Sequence, residues 1–193
     1  MPKHFLLILA LLTGCATTGA PPSNAPVAPY RDAIELSGRI AVNYRKDGNP
    51  ESVNGQFNWA QHGNRIELTL ASPTGQTMAT IKVTPDAATL TQADQVPRTA
   101  ADIDTLTAQT LGWSLPVSGL RDWLQGYAKG ADGKRFVATP ASNTVSTPDG
   151  WRLRFVSWHE GAHPAPKRID AERSATPGSD ELALRIVIDA PVQ

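Results

Sequence analysis

The stretch RIELTLASPTGQTMATIKV, residues 65–83, decides the fold of this chain. Two arms in it alternate apolar and polar side chains with a period of two, which predicts β-strands. The apolar faces carry Ile66, Leu68, Leu70, Ala79, Ile81 and Val83. Between the arms, Pro73 restricts φ and Gly75 tolerates unusual backbone angles, so residues 72–76 form a turn. The stretch therefore predicts a β-hairpin with an exposed tip, and Thr74 stands at its apex.

Similar alternation recurs on both sides of this hairpin. It runs through residues 34–45, 53–59, 88–92, 151–156 and 182–188, with shorter or weaker strands at 136–138, 144–146 and 167–174. Strands with one apolar and one polar face are typical of an antiparallel meander, because buried parallel strands have continuous apolar runs. We expect about nine or ten such strands, curled around one apolar interior. The sequence contains no repeat and no sign of a second domain, so residues 31–193 are predicted to form a single domain.

The periodicity changes between Thr99 and Gly126. Apolar residues at helical spacing after Asp102 predict a helix over residues 101–111 that ends at Gly112. Pro116 begins a second short helix, for which Ser118 is the candidate N-cap. The predicted fold is mainly β with two short helices that cover the interior. That interior is either a packed core, which is the default, or a cavity for an apolar ligand.

The N-terminus predicts a lipoprotein signal peptide. A basic Lys3 precedes the apolar residues 5–12, a run too short for a membrane-spanning helix, which needs about 20 residues. Residues 12–15, LTGC, resemble the bacterial lipobox, in which the cysteine becomes the lipidated mature N-terminus. An ordinary signal peptide with a chance cysteine is the alternative, but the only cysteine of the chain stands at the required position. Residues 1–14 are therefore predicted to be removed, and Cys15 to carry acyl chains.

Residues 16–30, ATTGAPPSNAPVAPY, have no apolar period and are rich in Pro, Ala, Ser and Thr. This composition predicts a tether, so that the lipidated Cys15 and the residues up to Tyr30 link the bilayer to the domain. Fully extended, the tether would hold the domain up to roughly 45 Å from the membrane. By resemblance to Gram-negative lipoproteins, the absence of Asp after the cysteine favours the outer membrane, and Ala16 fits. We expect a lipid-anchored protein on the periplasmic side of that membrane.

Charge and motif content exclude several other classes of function. Lys and Arg total 18, as do Asp and Glu, so no general basic field attracts nucleic acid. A single cysteine permits no intrachain disulfide. The chain has no Gly-rich phosphate loop, no local Ser/His/Asp motif and no paired carboxylates in a pocket-like context. We therefore predict neither an enzyme nor a cofactor.

One motif favours a different class of function, a zinc peptidase. Residues 159–163 read HEGAH, which matches the H-E-x-x-H pattern of those enzymes. That pattern binds zinc when both histidines share one face of a helix. Here the preceding residues alternate as a strand, while Gly161, Pro164 and Pro166 oppose a helix. We interpret the motif as a polar loop between strands and predict no metal site.

Three arginines, Arg152, Arg154 and Arg185, fall on strand faces opposite apolar residues. The simpler interpretation is a solvated outer face. The alternative is a contact surface for an acidic partner protein.

An ordered series of motifs resembles the LolB family of outer-membrane lipoproteins, which receive other lipoproteins from a periplasmic carrier. The series comprises GRIAV at 38–42, FNW at 57–59, the turn at 70–75, the helix at 101–111 and PVSGLRDWLQG at 116–126. The last stretch is the most specific. The resemblance covers residue 34 to the C-terminus and agrees with the lipobox.

The resemblance implies an incomplete, half-open antiparallel β-barrel with a helical lid over an apolar, acyl-binding interior. It also implies a LolA-like periplasmic carrier, cargo lipoproteins, the inner leaflet of the outer membrane as destination, and a monomer. Candidate acyl-binding residues are Ile40, Phe57, Trp59, Leu68, Leu70, Ile81, Leu106, Leu111, Leu120 and Trp123. Plain core packing is the alternative role for each of them.

The family also carries an exposed apolar residue, usually Leu, at the hairpin tip, where it is thought to contact the bilayer during insertion. Here Pro73 and Gly75 match the family pattern, but Thr74 occupies the Leu position. A hydroxyl at this position loses most of the ~1.5–3 kcal/mol that burial of a Leu side chain contributes. This departure from the family pattern bears on the predicted insertion step and does not bear on the predicted acceptance of cargo. A lipid-anchored binding module for another apolar ligand is the competing functional hypothesis.

Overall fold

The computed structural model describes residues 23–46, 48–93, 95–176 and 181–190. The predicted signal peptide, the lipidation site Cys15 and the first part of the predicted tether lie outside the described residues.

Twelve strands and two helices make up this part of the chain. The first half contains β1 (Ala33–Lys46), β2 (Asn49–His62), β3 (Arg65–Ala71), β4 (Thr77–Val83), β5 (Ala88–Gln92), β6 (Arg98–Ala100) and α1 (Ile103–Leu111). The second half contains α2 (Val117–Trp123), β7 (Tyr127–Lys129), β8 (Arg135–Val137), β9 (Thr144–Ser146), β10 (Trp151–His159), β11 (Ala165–Arg173) and β12 (Leu182–Ile188).

Ten strands form one antiparallel sheet in the order β6-β5-β4-β3-β2-β1-β12-β11-β10-β9, and β7 pairs with β8 separately. The last strand returns to the first, with Ile186 opposite Ile40. The two edge strands β6 and β9 do not pair with each other in the described part of the chain, so the sheet remains open. The structure thus confirms the prediction of a mainly β, antiparallel and incomplete barrel with two short helices.

The core lies on one face of this sheet. Strand β3 illustrates how it forms: Ile66, Leu68 and Leu70 are buried, whereas Arg65 and Glu67 are exposed. Because side chains alternate across a strand, the hydrophobic pattern sets which face turns inward. Both helices cover the buried face. Helix α2 presents Trp123 edge-on to Trp151, with ring centroids 5.6 Å apart.

Helix α1 ends where the sequence predicts, but it begins two residues later than the predicted residue 101, with Asp102 as its N-cap. The Asp102 carboxylate accepts hydrogen bonds from the backbone N–H groups of Asp104 and Thr105 at 3.1 and 3.3 Å. Gly112 ends the helix with a φ of 82°, a left-handed conformation that glycine adopts at little cost.

The predicted N-cap of α2 is wrong. Ser118 lies inside the helix, and Pro116 occupies the N-cap position without a side-chain hydrogen bond. The other helix instead provides the acceptor for a backbone N–H group in the first turn of α2. The Asp104 carboxylate of α1 accepts from Ser118 N at 3.2 Å and also from Ser118 Oγ. A cap contributed by a separate element leaves no local signature in the sequence.

Two strands escape the sequence prediction. Strands β6 and β7 have three residues each, too few for a period of two to stand out. Residues 98–100, part of which resembles a helix start, instead pair with β5.

The end of the predicted tether packs on the domain. Val27 is buried, and its N–H donates to Ala138 O at 3.3 Å. Tyr127 donates its hydroxyl proton to Ala28 O at 2.6 Å. Residues 23–31, which we call the N-terminal strap, therefore differ from a free linker. Composition alone misses this because the contacts come from backbone groups and from two isolated side chains, Val27 and Tyr30.

Candidate functional site

The apolar interior lies between the sheet and helix α2. Side chains from β1, β2, β3, β12, α2 and the residues flanking α2 meet there around one small cavity. The lining consists of Ile40, Phe57, Trp59, Leu68, Leu70, Leu115, Leu120, Leu124 and Ile186. Six of the ten predicted acyl-binding residues are in this set.

The other four predicted residues belong to the same core but do not line the cavity. Ile81 is fully buried, Leu106 is buried on α1, Leu111 is partly buried, and Trp123 contacts Trp151. Three lining residues, Leu115, Leu124 and Ile186, were not predicted. Leu115 lies in the short connection between the two helices, where no periodic pattern marks it. Leu124 follows α2 and Ile186 lies in β12, and the sequence places both segments in the domain without singling out these two residues.

The cavity has a volume of only ≈10 Å³. This is no more than about the 10–15 Å³ that one water molecule requires. In this conformation the interior is a filled core, which agrees with the default interpretation of the sequence. A space of this volume is too small for any larger molecule unless the side chains of α2 and its flanking residues move out.

Among the residues that line the cavity, one polar side-chain atom lacks a hydrogen-bond partner. Trp59 is 2% exposed, and its indole Nε1 has no hydrogen bond among the described residues. A buried N–H group without an acceptor costs about 1–3 kcal/mol. The interior therefore offers one unused donor to a molecule that brings a carbonyl or ester oxygen.

The two helices are joined by polar contacts. Besides the Asp104–Ser118 pair, Thr107 Oγ1 accepts from Leu115 N at 3.0 Å and lies 3.3 Å from Leu115 O. Burial raises the pKa of the Asp104 carboxyl, although its bonds with Ser118 act in the opposite direction. Helices α1 and α2 are thus connected as one unit, which we call the lid.

Arg121 connects the lid to the barrel. Its guanidinium donates to Gly63 O at 2.7 Å and to Asn64 Oδ1 at 3.0 Å, both in the β2–β3 turn. Its Nε also donates to the hydroxyl of Tyr30 in the strap at 3.4 Å. All three acceptors are neutral, so Arg121 holds the lid through hydrogen bonds and forms no ion pair with the described residues.

The strap contacts the lid as well. Gln125, just after α2, accepts from Arg31 N at 2.9 Å and donates to Arg31 O at 3.0 Å. Ser23 O also accepts from Ala141 N at 3.0 Å, so the strap is bound to the domain from Ser23 onward.

The hairpin tip is exposed and ordered by its own hydrogen bonds. Gly75 N donates to Ser72 O at 2.9 Å, and Ser72 N donates to Gln76 O at 2.8 Å. Gly75 has a φ of 89°, which explains the glycine at this position. Thr74 Oγ1 lies 2.9 Å from Ser72 Oγ, so its hydroxyl is already paired inside the turn. Pro73, Thr74 and Gly75 are exposed, as predicted, and offer no large apolar side chain.

The HEGAH motif lies in the β10–β11 hairpin. His159 ends β10, and the ring Nε2 lies 2.9 Å from Ile188 O. Residues 160–163 are exposed in the loop, and β11 begins at Ala165. No group of three or more potential metal ligands occurs in the described ranges. The predicted polar loop between strands is confirmed.

The outer face of the sheet carries a cluster of arginines around Asp170. Arg154, Arg168 and Arg185 approach its carboxylate at 3.4, 2.7 and 3.3 Å. Burial alone would raise the pKa of Asp170, but hydrogen bonds from Arg168 and the charges of Arg168 and Arg185 lower it overall. Arg152 pairs separately with Glu172 at 3.2 Å.

No helix of the described residues is long and apolar enough to cross a membrane.

Comparison with known proteins gives consistent matches. The family model "Outer membrane lipoprotein LolB" matches residues 32–190. A protein called "Outer-membrane lipoprotein LolB" from Cupriavidus necator is 39% identical over 180 residues, covering 93% of this chain and 90% of its own. Its namesake from Bordetella pertussis is 31% identical over 188 residues, covering 96% and 90%. Among solved structures, a LolA superfamily protein from Nitrosomonas europaea covers 81% of this chain at a TM-score of 0.44 and 7% identity.

Proposed function

The chain belongs to the LolB family of outer-membrane lipoproteins, and from this premise we propose that it accepts lipoproteins from a LolA-like periplasmic carrier and inserts them into the outer membrane. In this proposal Cys15 anchors the protein in the inner leaflet, the interior beneath the lid binds the acyl chains of the cargo, and the protein acts as a monomer without a catalytic step. No nucleotide or metal takes part.

The observation that carries the proposal is an apolar interior covered by a lid that polar contacts fasten. Leu115, Leu120 and Leu124 fill the space beneath the lid. If the Arg121 contacts open, these side chains can withdraw and an acyl chain can take their place. Each CH₂ buried from water contributes about 0.8 kcal/mol, so a few methylene groups offset the loss of a few hydrogen bonds.

The unpaired Trp59 N–H supports a lipid as the ligand. A hydrocarbon alone would leave this donor without a partner, whereas an acyl ester or amide carries a carbonyl oxygen. Satisfying a buried donor recovers part of its desolvation cost. The interior is thus suited to an acyl chain with its linking carbonyl.

Transfer in one direction requires only a difference in affinity. Acyl chains move from carrier to this protein when its interior buries them better, and onward because a bilayer buries every CH₂ again. Neither step needs an external energy source.

A crosslinking experiment tests the acceptor step. A photoreactive aliphatic residue replaces Leu68, which lines the interior, and the same residue replaces the neighbouring Glu67, which is exposed on the other face of β3. With a carrier loaded with radiolabelled lipoprotein, we expect crosslinks to the cargo acyl chain from position 68 and none from position 67. Equal crosslinking at both positions would contradict binding in the interior.

A second measurement separates the proposal from a binding module for another apolar ligand. The full lipidated chain in vesicles receives the loaded carrier, and the labelled lipoprotein is followed into the membrane. Retention of the cargo on the carrier, with unrelated lipid bound to this protein, would favour the binding module. Depletion of the protein in cells should leave other lipoproteins in the periplasm or inner membrane.

A further inference from the structure

The hairpin tip lacks a large apolar side chain, but a neighbouring loop has an exposed valine. Val96, between β5 and β6, is 85% exposed, far more than any other large apolar residue in the described part of the chain. The next is Val137, on β8, at 38%. A single exposed valine is ordinary on a protein surface, so its position decides whether it matters.

Strand register places Val96 at the same rim of the barrel as the tip. Ala79, two residues after the tip-side start of β4, pairs with Gln92 at the end of β5. Ala93 N donates to Met78 O at 3.4 Å, and Gln95 N then donates to Gln92 O at 3.3 Å. The β5–β6 loop therefore leaves the sheet beside the tip. Two strand spacings, about 10 Å, separate the two turns along the rim.

The other flank of the tip is cationic. A groove of ≈270 Å³ on the outer face is lined by Pro73 of the tip and by Arg39 and Arg185, without any acidic residue in its described lining. Gln56 also lines it and donates to Pro73 O at 3.1 Å, which holds the tip against the groove.

The two arginines belong to adjacent strands. Arg39 lies opposite Val187, two residues from Arg185, so the pair are diagonal neighbours with Cα atoms about 7–8 Å apart. Arg39 is exposed and makes no hydrogen bond or ion pair with described residues, while Arg185 shares Asp170 with Arg154 and Arg168. Three guanidinium groups thus share one carboxylate, and Arg39 adds a further exposed positive charge nearby. Asp189, bonded by Ser37, lies outside the groove.

We propose that Val96 supplies the apolar membrane contact that Thr74 does not, and that Arg39 and Arg185 bind headgroup phosphates of anionic phospholipids on the other side of the tip. An apolar side chain flanked by cations suits the boundary between acyl chains and headgroups. Guanidinium groups bind phosphate oxygens in a bidentate way, and basic residues near an anionic leaflet add to the attraction. This inference rests on the proposed function, since it assigns the bilayer contact of the insertion step.

The first test measures docking of the rim on a bilayer, without carrier or cargo. The full lipidated chain with Gln76→Cys carries an environment-sensitive fluorophore in vesicles of phosphatidylcholine with phosphatidylglycerol. Because Cys15 is the only native cysteine and is acylated in this preparation, the new thiol is the single labelling site. We expect Val96→Ser to lower the ratio of docked to undocked label about ten-fold, from loss of valine burial. The matched control is Val137→Ser, on strand β8, which should change this ratio less than two-fold.

The second test concerns the arginines. Arg39→Gln with Arg185→Gln should lower docking about five-fold per residue on anionic vesicles and have little effect on pure phosphatidylcholine. Arg152→Gln, on the same face but outside the groove, removes as much charge as either single substitution in that pair and should leave docking within about two-fold. Arg39→Lys with Arg185→Lys should retain part of the effect, and thermal melting confirms that all variants fold.

Several outcomes would overturn the inference. Unchanged docking in Val96→Ser, or equal losses in Val137→Ser, would remove Val96 from the contact. Equal losses in Arg152→Gln, or a phosphate-induced rise in melting temperature without any vesicle effect, would remove the headgroup site. If cargo still passes from carrier to vesicles in Val96→Ser at the wild-type rate, this inference fails while the proposed function stands.

Discussion

The lid and the hairpin tip differ in what holds them in place. The lid is joined to the barrel by buried leucines, by the Trp123–Trp151 contact and by Arg121, all of which connect distant parts of the chain. The tip is held mainly by hydrogen bonds among residues 72–76 and one from Gln56. A change in the lid should therefore alter folding stability and ligand entry, while a change at the tip apex should alter only what the tip contacts.

The largest effect is expected from Trp123→Ala. The side chain is 3% exposed and contacts Trp151, so its removal leaves a cavity in the core beneath the lid. Loss of a buried Trp lowers the free energy of unfolding by about 3–5 kcal/mol. Chemical denaturation measures this, with Thr74→Ala at the tip as the control, for which about 0.5 kcal/mol or less is expected. A comparable loss in both variants would remove the contrast between the two regions.

Arg121→Ala should have an intermediate effect. It removes three hydrogen bonds that attach the lid to the β2–β3 turn and the strap. We expect a loss of about 1–3 kcal/mol and faster hydrogen exchange in α2 than in β3. Arg65→Ala, at the exposed start of β3, is the control with the same charge change. Uniformly faster exchange throughout the barrel would mean that Arg121 stabilises the whole fold and does not selectively close the lid.

Asp104→Asn should change how stability depends on pH. Burial raises the pKa of Asp104, so the folded protein binds this proton more tightly than the unfolded chain does. The contribution of this group is fully present at low pH and is lost as pH rises through and above the usual range of an aspartate. Asparagine is neutral and can still contact Ser118, so the variant should lose less stability than wild type as pH rises. Denaturation at several pH values, with the exposed Asp86→Asn as control, measures the difference; parallel curves for wild type and Asp104→Asn would contradict it.

Thr74→Leu should have the smallest effect on folding and a selective effect on membranes. The side chain is exposed, so stability should change by no more than about 0.5 kcal/mol. In the transfer assay, the step into the vesicle should accelerate and the step from carrier to this protein should not, because leucine adds apolar area only at the tip. If Val96 makes the bilayer contact, Thr74→Leu should also restore insertion in Val96→Ser. Equal insertion rates in wild type and Thr74→Leu would mean that the apex is not limiting.

Prediction from the sequence succeeded where one residue pattern decided the outcome. The alternation around Leu68 and Leu70 set the buried face of β3, and helical spacing after Asp102 set α1. It failed where contacts join distant segments. Ser118 resembles an N-cap, but Asp104 of another helix binds it, and Val27 lies in a linker-like composition, yet the domain buries it.

The candidate site follows the same division. Six of ten predicted interior residues line the cavity, because an inward-facing apolar residue on a central strand has few other places to lie. Leu115 was missed because it belongs to no periodic segment. Val96 was missed because the local sequence does not determine how exposed a side chain is in the folded domain. The acyl-binding role of these residues remains a prediction.

The sequence by itself determined the antiparallel strands, the two helices and the exposed tip without a large apolar residue, since each depends on local periodicity or turn chemistry. It also carried the motifs of the LolB family and a sequence at residues 12–15 that resembles a lipobox. Only the tertiary structure decided that the interior is filled, that Arg121 joins the lid to the β2–β3 turn, and that Val96 lies beside the tip. Those features depend on packing density and strand register, which arise between residues far apart in the chain.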